Sequence, residues 1–484
     1  MVIFKTLFNH KLMAKNNPNH LTGSTLTFSL IIILASIWLF FSCGGEKRAD
    51  WTLLFYFDGD NSLAEDAFND LQELEKVGSN PQIRLVAQAD FPRNFKPELT
   101  ATRRFEIIQD NDTGTLTSPI LESLGETDMA DPQTLTDFIV WGKKIFPARR
   151  YALVLWDHGE AWYQESVTSQ QSEAQSSKFK VQSWKKIKSS NTQEKLHIQN
   201  VLSDLELRTS DLGLVNPEAI FIDQDNDSGP MKNFQLREAL EAAGVHFDLI
   251  VFDACVMATI EVAYELKDRA DIMIASQELM QENGLPYDVI VSGLNQNPGE
   301  TPEELAAGIV DDYRDYCEEI YYPQGLRPDQ TLSAVRLGTD LSALAAAVDQ
   351  TALYLSDHLQ AEAENIFSAR NEAEELEFVP FRAHFYVDLD DLFSRLNPPA
   401  DLAAGFSEGF SRTVIREYHG SLHPRAHGLS IVFPKTPDVI SNYDPTYSDY
   451  DPSAGTGSPS LFMQLSWDNL LSAYYLLKYP ETAF

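Results

Sequence analysis

The sequence predicts an α/β fold built on a mostly parallel sheet that helices cover on both faces. The first observation is a set of continuous apolar runs, WTLLFYF, YALVLW and DLIVFDA, which have the length of buried strands. The second is that segments with helical spacing separate such runs, as at 62–77, where apolar residues recur every third or fourth position. Strands separated by helices imply βαβ units.

The predicted elements follow in order along the chain. After the strand that begins at Trp51 and the helix at 62–77, we predict strands at 82–90, 103–110, 151–156, 248–254 and 271–276, and helices at 131–146, 233–243 and 257–267. Beyond residue 300 come helices at 302–321 and 341–375, a strand at 428–434 and a closing helix at 460–477. We therefore expect a tether over 44–50, a core over 51–300, and a helical carboxy-terminal extension over 301–484 that packs on the core.

The composition excludes two classes of protein. The 484 residues carry 37 basic and 72 acidic side chains, a net charge of -35, and a field of that sign repels nucleic acid. The cysteines are Cys43, Cys255 and Cys317, too few for a disulfide framework. Cys317 lies in a helical pattern, where we expect a part-buried free thiol.

Residues 1–43 have the pattern of a signal segment. Basic residues precede the apolar run TFSLIIILASIWLFF, and Cys43 with small neighbours follows it. This arrangement resembles a bacterial lipoprotein processing site, so we predict lipid attachment at Cys43. A plain membrane anchor is the alternative. In both cases the body of the protein is expected outside the cytoplasm, at the outer face of a bacterial membrane or secreted.

The strongest chemical signal is a pair of side chains at two strand ends. His158 and Gly159 follow YALVLW, and Cys255 follows DLIVFDA. Ligands bind beyond the carboxyl ends of parallel strands, where a thiol and an imidazole can serve as nucleophile and proton donor. A helix predicted from Met257 would stabilise a thiolate, and the N–H of Gly159 can stabilise an oxyanion. On spacing alone, a core cysteine and a structurally paired histidine remain the alternatives.

Asp253 is a candidate for substrate binding. Positions two apart along a strand face the same side, so Asp253 is expected beside Cys255. A carboxylate there disfavours a thiolate, and it therefore suits the floor of a pocket for a cationic side chain. A carboxylate that only caps a strand end or a helix is the alternative.

A run of alternating carboxylates resembles the start of a calcium loop: Asp223, Asp225 and Asp227. The run lacks the spaced glycine and the closing glutamate, because Phe234 stands at the twelfth position. An acidic turn before a helix is the preferred interpretation, and no residue is assigned as a metal ligand.

Four motifs together resemble the clostripain-like cysteine peptidases. DHGEAW at 157–162 is similar to their His-Gly-x-x-Trp block, and FDLIVFDACVM at 247–257 to the block that carries their cysteine. FDGDN at 57–61 and GLSIVFP at 428–434 resemble their first strand end and their carboxy-terminal strand. The family shares with caspases, legumains and gingipains a three-layer α/β/α fold with a mostly parallel sheet and a His/Cys dyad.

The resemblance implies a function and roles for the site residues. Cys255 would hydrolyse peptide bonds in proteins or peptides, with His158 protonating the leaving amine. The N–H groups of Gly159 and Cys255 would form the oxyanion hole. Asp253 would favour Arg or Lys before the cleaved bond. This chemistry needs no cofactor, although some relatives use calcium and calcium therefore stays an option.

A loop at 276–287 is expected to form another pocket wall. Relatives can carry a second pocket acid in this loop, and Glu282 and Asn283 stand nearest to that position. An asparagine there would weaken a preference for basic side chains.

A polar insertion at 163–212 interrupts the alternation of strands and helices. It is rich in Ser, Gln, Lys and Glu, and a loop of that length is either functional or disordered. Clostripain-like enzymes commonly mature by a cut between the histidine and the cysteine. The insertion offers these candidates for self-cleavage: Lys178, Lys180, Lys185, Lys186 and Lys188.

The sequence is also compatible with two rival functions. The first is a lipid-anchored binding protein on a decayed peptidase fold, and the second is an enzyme of the same fold that acts on a non-peptide amide. The intact set of His158, Gly159, Asp253 and Cys255 favours a peptidase.

Overall fold

The computed structural model describes residues 48–96, 99–111, 114–164, 218–221, 223, 230–376, 386–435 and 461–478. The chain divides into one unit over 1–47 and a second over 48–484. The predicted signal segment and Cys43 belong to the first unit and lie outside the described residues. Among the helices that the structure describes, none is both long and apolar enough to cross a membrane.

The described strands form one large sheet and two small ones. In chain order they are β1 (Ala49–Asp58), β2 (Ile83–Asp90), β3 (Thr102–Glu106), β4 (Ile120–Gly125), β5 (Ala148–Trp156), β6 (Gly159–Gln164), β7 (Glu218–Ile220), β8 (Phe247–Asp253), β9 (Ala270–Ala275), β10 (Thr331–Arg336), β11 (Glu375–Leu376), β12 (Tyr386–Asp388), β13 (Val414–His419) and β14 (Ser430–Val432). The large sheet has the order β13-β10-β9-β8-β5-β1-β2-β3-β4.

The five central strands of this sheet are parallel. β9, β8, β5, β1 and β2 all run in one direction, whereas β10 and β13 at one edge, and β3 at the other, pair antiparallel with their neighbours. The carboxyl ends of the parallel strands therefore lie along a single edge of the sheet, which is where parallel α/β folds bind their ligands.

The helices lie on both faces of the sheet. In chain order they are α1 (Ala64–Val77), α2 (Pro132–Ile145), α3 (Asn233–Ala243), α4 (Ile260–Leu266), α5 (Tyr287–Gln296), α6 (Pro302–Tyr316), α7 (Gly338–Asp357), α8 (Leu359–Glu372), α9 (Leu389–Leu396), α10 (Ala400–Thr413) and α11 (Trp467–Lys478). Alternate residues of β1 enter two different cores, with Phe55 packed in the cluster of α1, α5 and α6 and Tyr56 in that of α2, α3, α4 and α7. The predicted three-layer α/β/α fold is confirmed.

The sequence located most central elements closely. Helix α2 begins as predicted, because Asp131 Oδ1 accepts a hydrogen bond of 2.8 Å from the N–H of Gln133 and Pro132 occupies the first turn. The carboxy-terminal part agrees less well. One helix was expected over 341–375, but α7 and α8 are separated at His358, whose ring stacks on Tyr354 and whose backbone leaves the helical region.

The carboxy-terminal residues also contribute to the central sheet. β10 pairs antiparallel with β9, and β13 follows it at the edge. β11, β12 and β14 form a separate antiparallel sheet. An isolated bridge from Thr259 to Ser430 connects β14 to the segment that follows the candidate cysteine. Residues beyond 300 therefore help to fix the surroundings of the site.

Candidate active site

The structure places the ends of β5 and β8 side by side. These strands are adjacent and parallel, with Trp156 opposite Asp253, so His158 and Cys255 each stand two residues beyond a paired position. Gly159 packs directly on the cysteine backbone: a Cβ atom there would lie 2.5 Å from the carbonyl oxygen and 3.0 Å from the nitrogen of Cys255. A side chain at Gly159 would push the histidine segment away from the cysteine.

His158 is half-buried and is held from the neighbouring strand end. Ser62 Oγ lies 3.1 Å from its Nε2 atom. Next to Ser62, the Asn61 side chain donates a hydrogen bond of 2.7 Å to Asp157 Oδ1, and its own oxygen accepts from the N–H of Leu63 at 2.9 Å. The loop after β1 therefore fixes the segment that carries the imidazole. Sequence reasoning missed this role of Ser62 and Asn61, although both follow a strand that ends at the same edge.

Cys255 is also half-buried, and its sulfur accepts a hydrogen bond from a backbone N–H group. The N–H of Met280 donates to Sγ at 3.3 Å. The helix expected from Met257 begins only at Ile260, because the Thr259 side chain caps it by accepting from the N–H of Val262 at 3.2 Å. The helix therefore begins three residues later than predicted, and the N–H group that contacts the sulfur comes from the loop at Met280.

The turn after Cys255 is unusual for its sequence. Val256 has φ of 61°, a left-handed conformation that a β-branched residue rarely adopts. Its N–H donates to the carbonyl oxygen of Glu278 at 3.1 Å, and the N–H of Ala258 donates to that of Ser276 at 2.8 Å. The loop that begins at Ser276 therefore holds the strained turn and presents Cys255 at the sheet edge.

Asp253 is buried beside this same loop. Its Oδ2 atom accepts hydrogen bonds from the N–H of Leu285 at 3.0 Å and from the hydroxyl of Tyr287 at 2.6 Å. Among the described residues, no hydrogen bond reaches its Oδ1 atom. Burial raises the pKa of Asp253 to about 6, and the two hydrogen bonds limit that rise.

Gly284 covers Asp253 without closing it off. A Cβ atom on Gly284 would lie 2.6 Å from Oδ2 and 3.0 Å from Oδ1 of Asp253. The two residues that the sequence placed nearest to a second pocket acid are both exposed: Glu282 and Asn283. Asn283 donates a hydrogen bond of 3.1 Å to the hydroxyl of Tyr316. The loop thus contributes a glycine to this wall, which sequence reasoning did not single out.

Aromatic side chains pack against Tyr287, which donates a hydrogen bond to Asp253. The ring of Tyr287 meets Phe55 and Phe57 edge to face, at centroid distances of 5.6 and 6.3 Å. Trp156 donates a hydrogen bond of 2.7 Å to the buried Asp70, and burial together with the charge of Asp253 raises the pKa of Asp70 well above its usual range. The packing of Phe55 and Phe57 on the Tyr287 ring fixes the direction of the Tyr287 hydroxyl.

Two other sets of candidates lie partly or wholly outside the described residues. The candidate self-cleavage lysines, Lys178 to Lys188, fall in the gap between β6 and β7. Of the alternating carboxylates, Asp225 and Asp227 also lie outside. Asp223 is described, and its Oδ2 accepts a hydrogen bond of 2.9 Å from the N–H of Met129.

The three layers of helices, sheet and helices, with the site at the carboxyl edge of the parallel strands, define a class of protein. This class is that of the caspase-like cysteine-type endopeptidases. A model of the clostripain family matches residues 55–180 and 207–474. The chain belongs to the clostripain family, as the sequence motifs indicated. It is also 24% identical over 488 residues to clostripain from Hathewaya histolytica, an alignment that covers 88% of this chain and 80% of that protein. It is accordingly a cysteine-type endopeptidase.

Solved structures share the fold. A secreted C11 cysteine protease from Bacteroides thetaiotaomicron, determined with an irreversible peptide inhibitor, superposes with a TM-score of 0.58 at 20% identity, covering 87% of this chain and 100% of its own. An inactive zymogen C11 protease from Parabacteroides distasonis gives a TM-score of 0.56 at 22% identity, covering 88% and 98%. At these identities the likeness concerns the fold.

Proposed function

We propose that this endopeptidase acts through an acyl-enzyme on Cys255, with His158 as its proton donor. The observation that carries the proposal is the contact of Gly159 with the Cys255 backbone. That contact keeps the histidine segment and the cysteine together at the carboxyl edge of two adjacent strands. The half-buried thiol is accessible, whereas the other described cysteine, Cys317, is fully buried.

The proposed reaction has two steps. The Cys255 sulfur attacks the carbonyl carbon of the substrate, and the negative charge on the carbonyl oxygen is stabilised by the N–H groups of Gly159 and Cys255. His158 holds the proton that the Cys255 thiol has lost and gives it to the leaving amine, the C–N bond breaks and a thioester remains. A water molecule then gives a proton to His158 and attacks the thioester, which releases the carboxyl product and the thiol.

We propose a preference for Arg or Lys before the cleaved bond, with Asp253 as the floor of the pocket. Both hydrogen bonds from described residues go to Oδ2, which supports Oδ1 as the atom that faces a substrate cation. Gly284 supports the same interpretation, because any larger residue would cover the carboxylate. Asn283 and Glu282 would line the mouth of this pocket, and the uncharged Asn283 makes the preference weaker than that of a two-acid pocket.

We also propose that the peptidase body, residues 51–300 with the extension over 301–484, is exported and held at a membrane by a lipid on Cys43. The pattern around Cys43 supports this, and one solved relative is described as secreted. Metabolic labelling with a fatty-acid analogue tests it. Label in the native chain and none in Cys43→Ala is the expected result, and equal label in both would contradict it.

Self-cleavage within the polar insertion completes the proposal. The insertion begins just beyond His158 and offers lysines of the type that Asp253 would accept. We expect two fragments, cut between Lys178 and residue 195, that stay associated through the sheet. Purified native protein and Cys255→Ala are compared on a denaturing gel with terminal sequencing. The same fragments from Cys255→Ala would show that another protease makes the cut.

Peptide hydrolysis by three proteins tests the proposed dyad. Native protein, Cys255→Ala and His158→Ala are compared on Arg, Lys and neutral peptides, and circular dichroism monitors their folding. Loss of nearly all turnover in both folded variants is expected. Full activity in Cys255→Ala would overturn the assignment of the nucleophile, and a profile dominated by apolar or acidic residues would overturn that of the pocket.

A further inference from the structure

The same edge of the sheet holds a group of carboxylates that the proposed reaction does not use. Asp60, Asp90 and Glu126 each offer an oxygen atom, and these atoms lie within 4.8 Å of one another. Asp90 is the last residue of β2, Asp60 follows β1 by two residues, and Glu126 follows β4. Because β1, β2 and β4 run in the same direction, the topology brings all three carboxylates to one place.

Asp90 is in an environment that a buried carboxylate does not normally tolerate. Its exposed fraction is 0%, and neither of its oxygens has a hydrogen-bond partner among the residues that the structure describes. Asp58, directly opposite Asp90 in the strand register, is also fully buried, and no described residue donates a hydrogen bond to its Oδ2 atom. A buried polar atom without a partner destabilises the folded state, and more so when it is charged. These oxygens point to a ligand that satisfies them.

The electrostatics of the group indicate a positive ligand. The carboxylate oxygens of Asp60, Asp90 and Glu126 lie within 4.8 Å of one another, and Asp58 stands opposite Asp90 in the strand register. Arg93 lies 3.6 Å from Glu126, but 60% of its side chain is exposed, so solvent screens its charge. Carboxylates packed this closely repel one another unless a cation lies between them.

We propose that Asp60, Asp90 and Glu126 bind one hard divalent cation of the Ca²⁺ or Mg²⁺ class, with Asp58 beside them. The donor set contains only carboxylate oxygens, which suit these ions and not zinc or copper, whose protein sites use histidine and cysteine. The proposed ligands differ from the alternating run at 223–227, of which the structure describes Asp223.

The site is connected to the candidate active site through a short loop. The N–H of Asp60 donates to Asp58 Oδ1 at 3.3 Å, and the Asn61 amide donates to the carbonyl oxygen of Asp58 at 3.1 Å. The next residue is Ser62, whose hydroxyl contacts His158. A cation bound by Asp60 would fix the loop that positions the imidazole, so its removal would loosen His158 without touching Cys255.

Direct binding to the full chain tests the site. The protein is stripped with a chelator and then titrated with CaCl₂ or MgCl₂ in a calorimeter, with thermal melts recorded in parallel. One bound ion per chain and a higher melting temperature with at least one of the two salts are expected. Because loss even of an outer-sphere partner lowers metal affinity about 10–100-fold, Asp90→Asn and Glu126→Gln should each weaken binding by at least about tenfold.

Two controls separate this site from other effects. Glu261→Gln changes another buried carboxylate with one unpartnered oxygen, which lies outside the group, and it should leave binding unchanged. Cys255→Ala should also bind normally, so failure of the proposed catalysis would not affect this result. Absence of heat and of any melting shift with both salts would overturn the proposal, as would a folded Glu126→Gln that binds like the native chain.

Discussion

The hydroxyl of Ser62 lies 3.1 Å from Nε2 of His158, across 96 positions of sequence. A hydroxyl can both donate and accept a hydrogen bond, so it can hold the imidazole ring in its neutral and its protonated forms. In the proposed reaction His158 changes its charge, and a proton donor of that kind needs such a partner. We therefore assign Ser62 as a positioning residue for His158.

Removal of this contact should slow peptide hydrolysis without unfolding the protein. A neutral hydrogen bond contributes about 0.5–1.5 kcal/mol, so Ser62→Ala should lower kcat/KM by roughly 2–10-fold. Ser62 is exposed and its truncation leaves no buried cavity. Ser62→Thr should restore most of the activity, and the pH–rate profile of Ser62→Ala should shift because the imidazole has lost a partner.

Ser411 provides a matched control for Ser62. Its exposed hydroxyl donates to the carbonyl oxygen of Glu408 at 3.0 Å on α10, far along the chain from the site. Ser411→Ala should leave both kcat/KM and the pH profile unchanged. Equal profiles for Ser62→Ala and the native enzyme would contradict a positioning role.

Gly284→Ala should close the proposed pocket. The added methyl group would lie 2.6 Å from Oδ2 of Asp253 and would cover the carboxylate. We expect kcat/KM for Arg peptides to fall more than about tenfold, which corresponds to about 1.4 kcal/mol. Steady-state kinetics with an Arg peptide measures this loss.

Gly244 separates pocket closure from backbone strain. Gly244 has φ of 61° and Gly284 has φ of 57°, and a Cβ atom on Gly244 would meet nothing within 4 Å. Both alanine variants carry the cost of a left-handed residue, about 1–2 kcal/mol, but only one of them blocks Asp253. Unequal activities in the two folded variants are expected, whereas equal activities would refute the pocket.

The two described thiols should differ sharply in reactivity. Cys317 is fully buried, and burial raises its pKa to about 12, so almost none of it is thiolate near neutral pH. Cys255 is half-buried, and its sulfur accepts a hydrogen bond from the N–H of Met280. A peptidyl electrophile at neutral pH should label Cys255 alone, as mass spectrometry of the digested protein would show. Label on Cys317 in the folded native chain would contradict this expectation.

The preference for cationic substrates should depend on pH through Asp253. Because burial raises the pKa of Asp253 to about 6, the carboxylate is charged above that pH and neutral below it. The ratio of kcat/KM for an Arg peptide to that for its uncharged citrulline analogue should therefore fall below pH 6, by up to about tenfold per pH unit. The ratio cancels the titration of the dyad itself, since both peptides use it.

Asp253→Asn provides the control for this pH dependence. It keeps an oxygen acceptor for Leu285 and Tyr287 but loses the charge. Its ratio should be low and constant between pH 5 and pH 8. A ratio that is constant with pH in the native enzyme, or that varies with pH equally in Asp253→Asn, would show that another group sets the preference.

Local patterns in the amino-acid sequence are enough to predict the elements and the strand ends that carry His158 and Cys255. A parallel strand that is buried on both faces has to be apolar along its length, so YALVLW and DLIVFDA stand out in the chain. The first polar residues after them mark the sheet edge. The cap of α2 at Asp131 is also predictable from the sequence. An N-cap is a local arrangement of a few consecutive residues, so it does not depend on distant contacts.

The other residues that meet at that edge depend on how distant segments pack together. Ser62 contacts His158, and Met280 contacts Cys255 across 25 positions. Gly284 lies on Asp253, and Asp90 lies beside Glu126. None of these contacts follows from periodicity or propensity, because each depends on where a loop closes after the sheet has formed. The sequence predicts the start of α4 at Met257, whereas the helix begins at Ile260. The difference arises because hydrogen bonds to Glu278 and its neighbours hold the turn at Val256. Local patterns determine strands and helices, whereas packing between distant segments determines the environment of each reactive group.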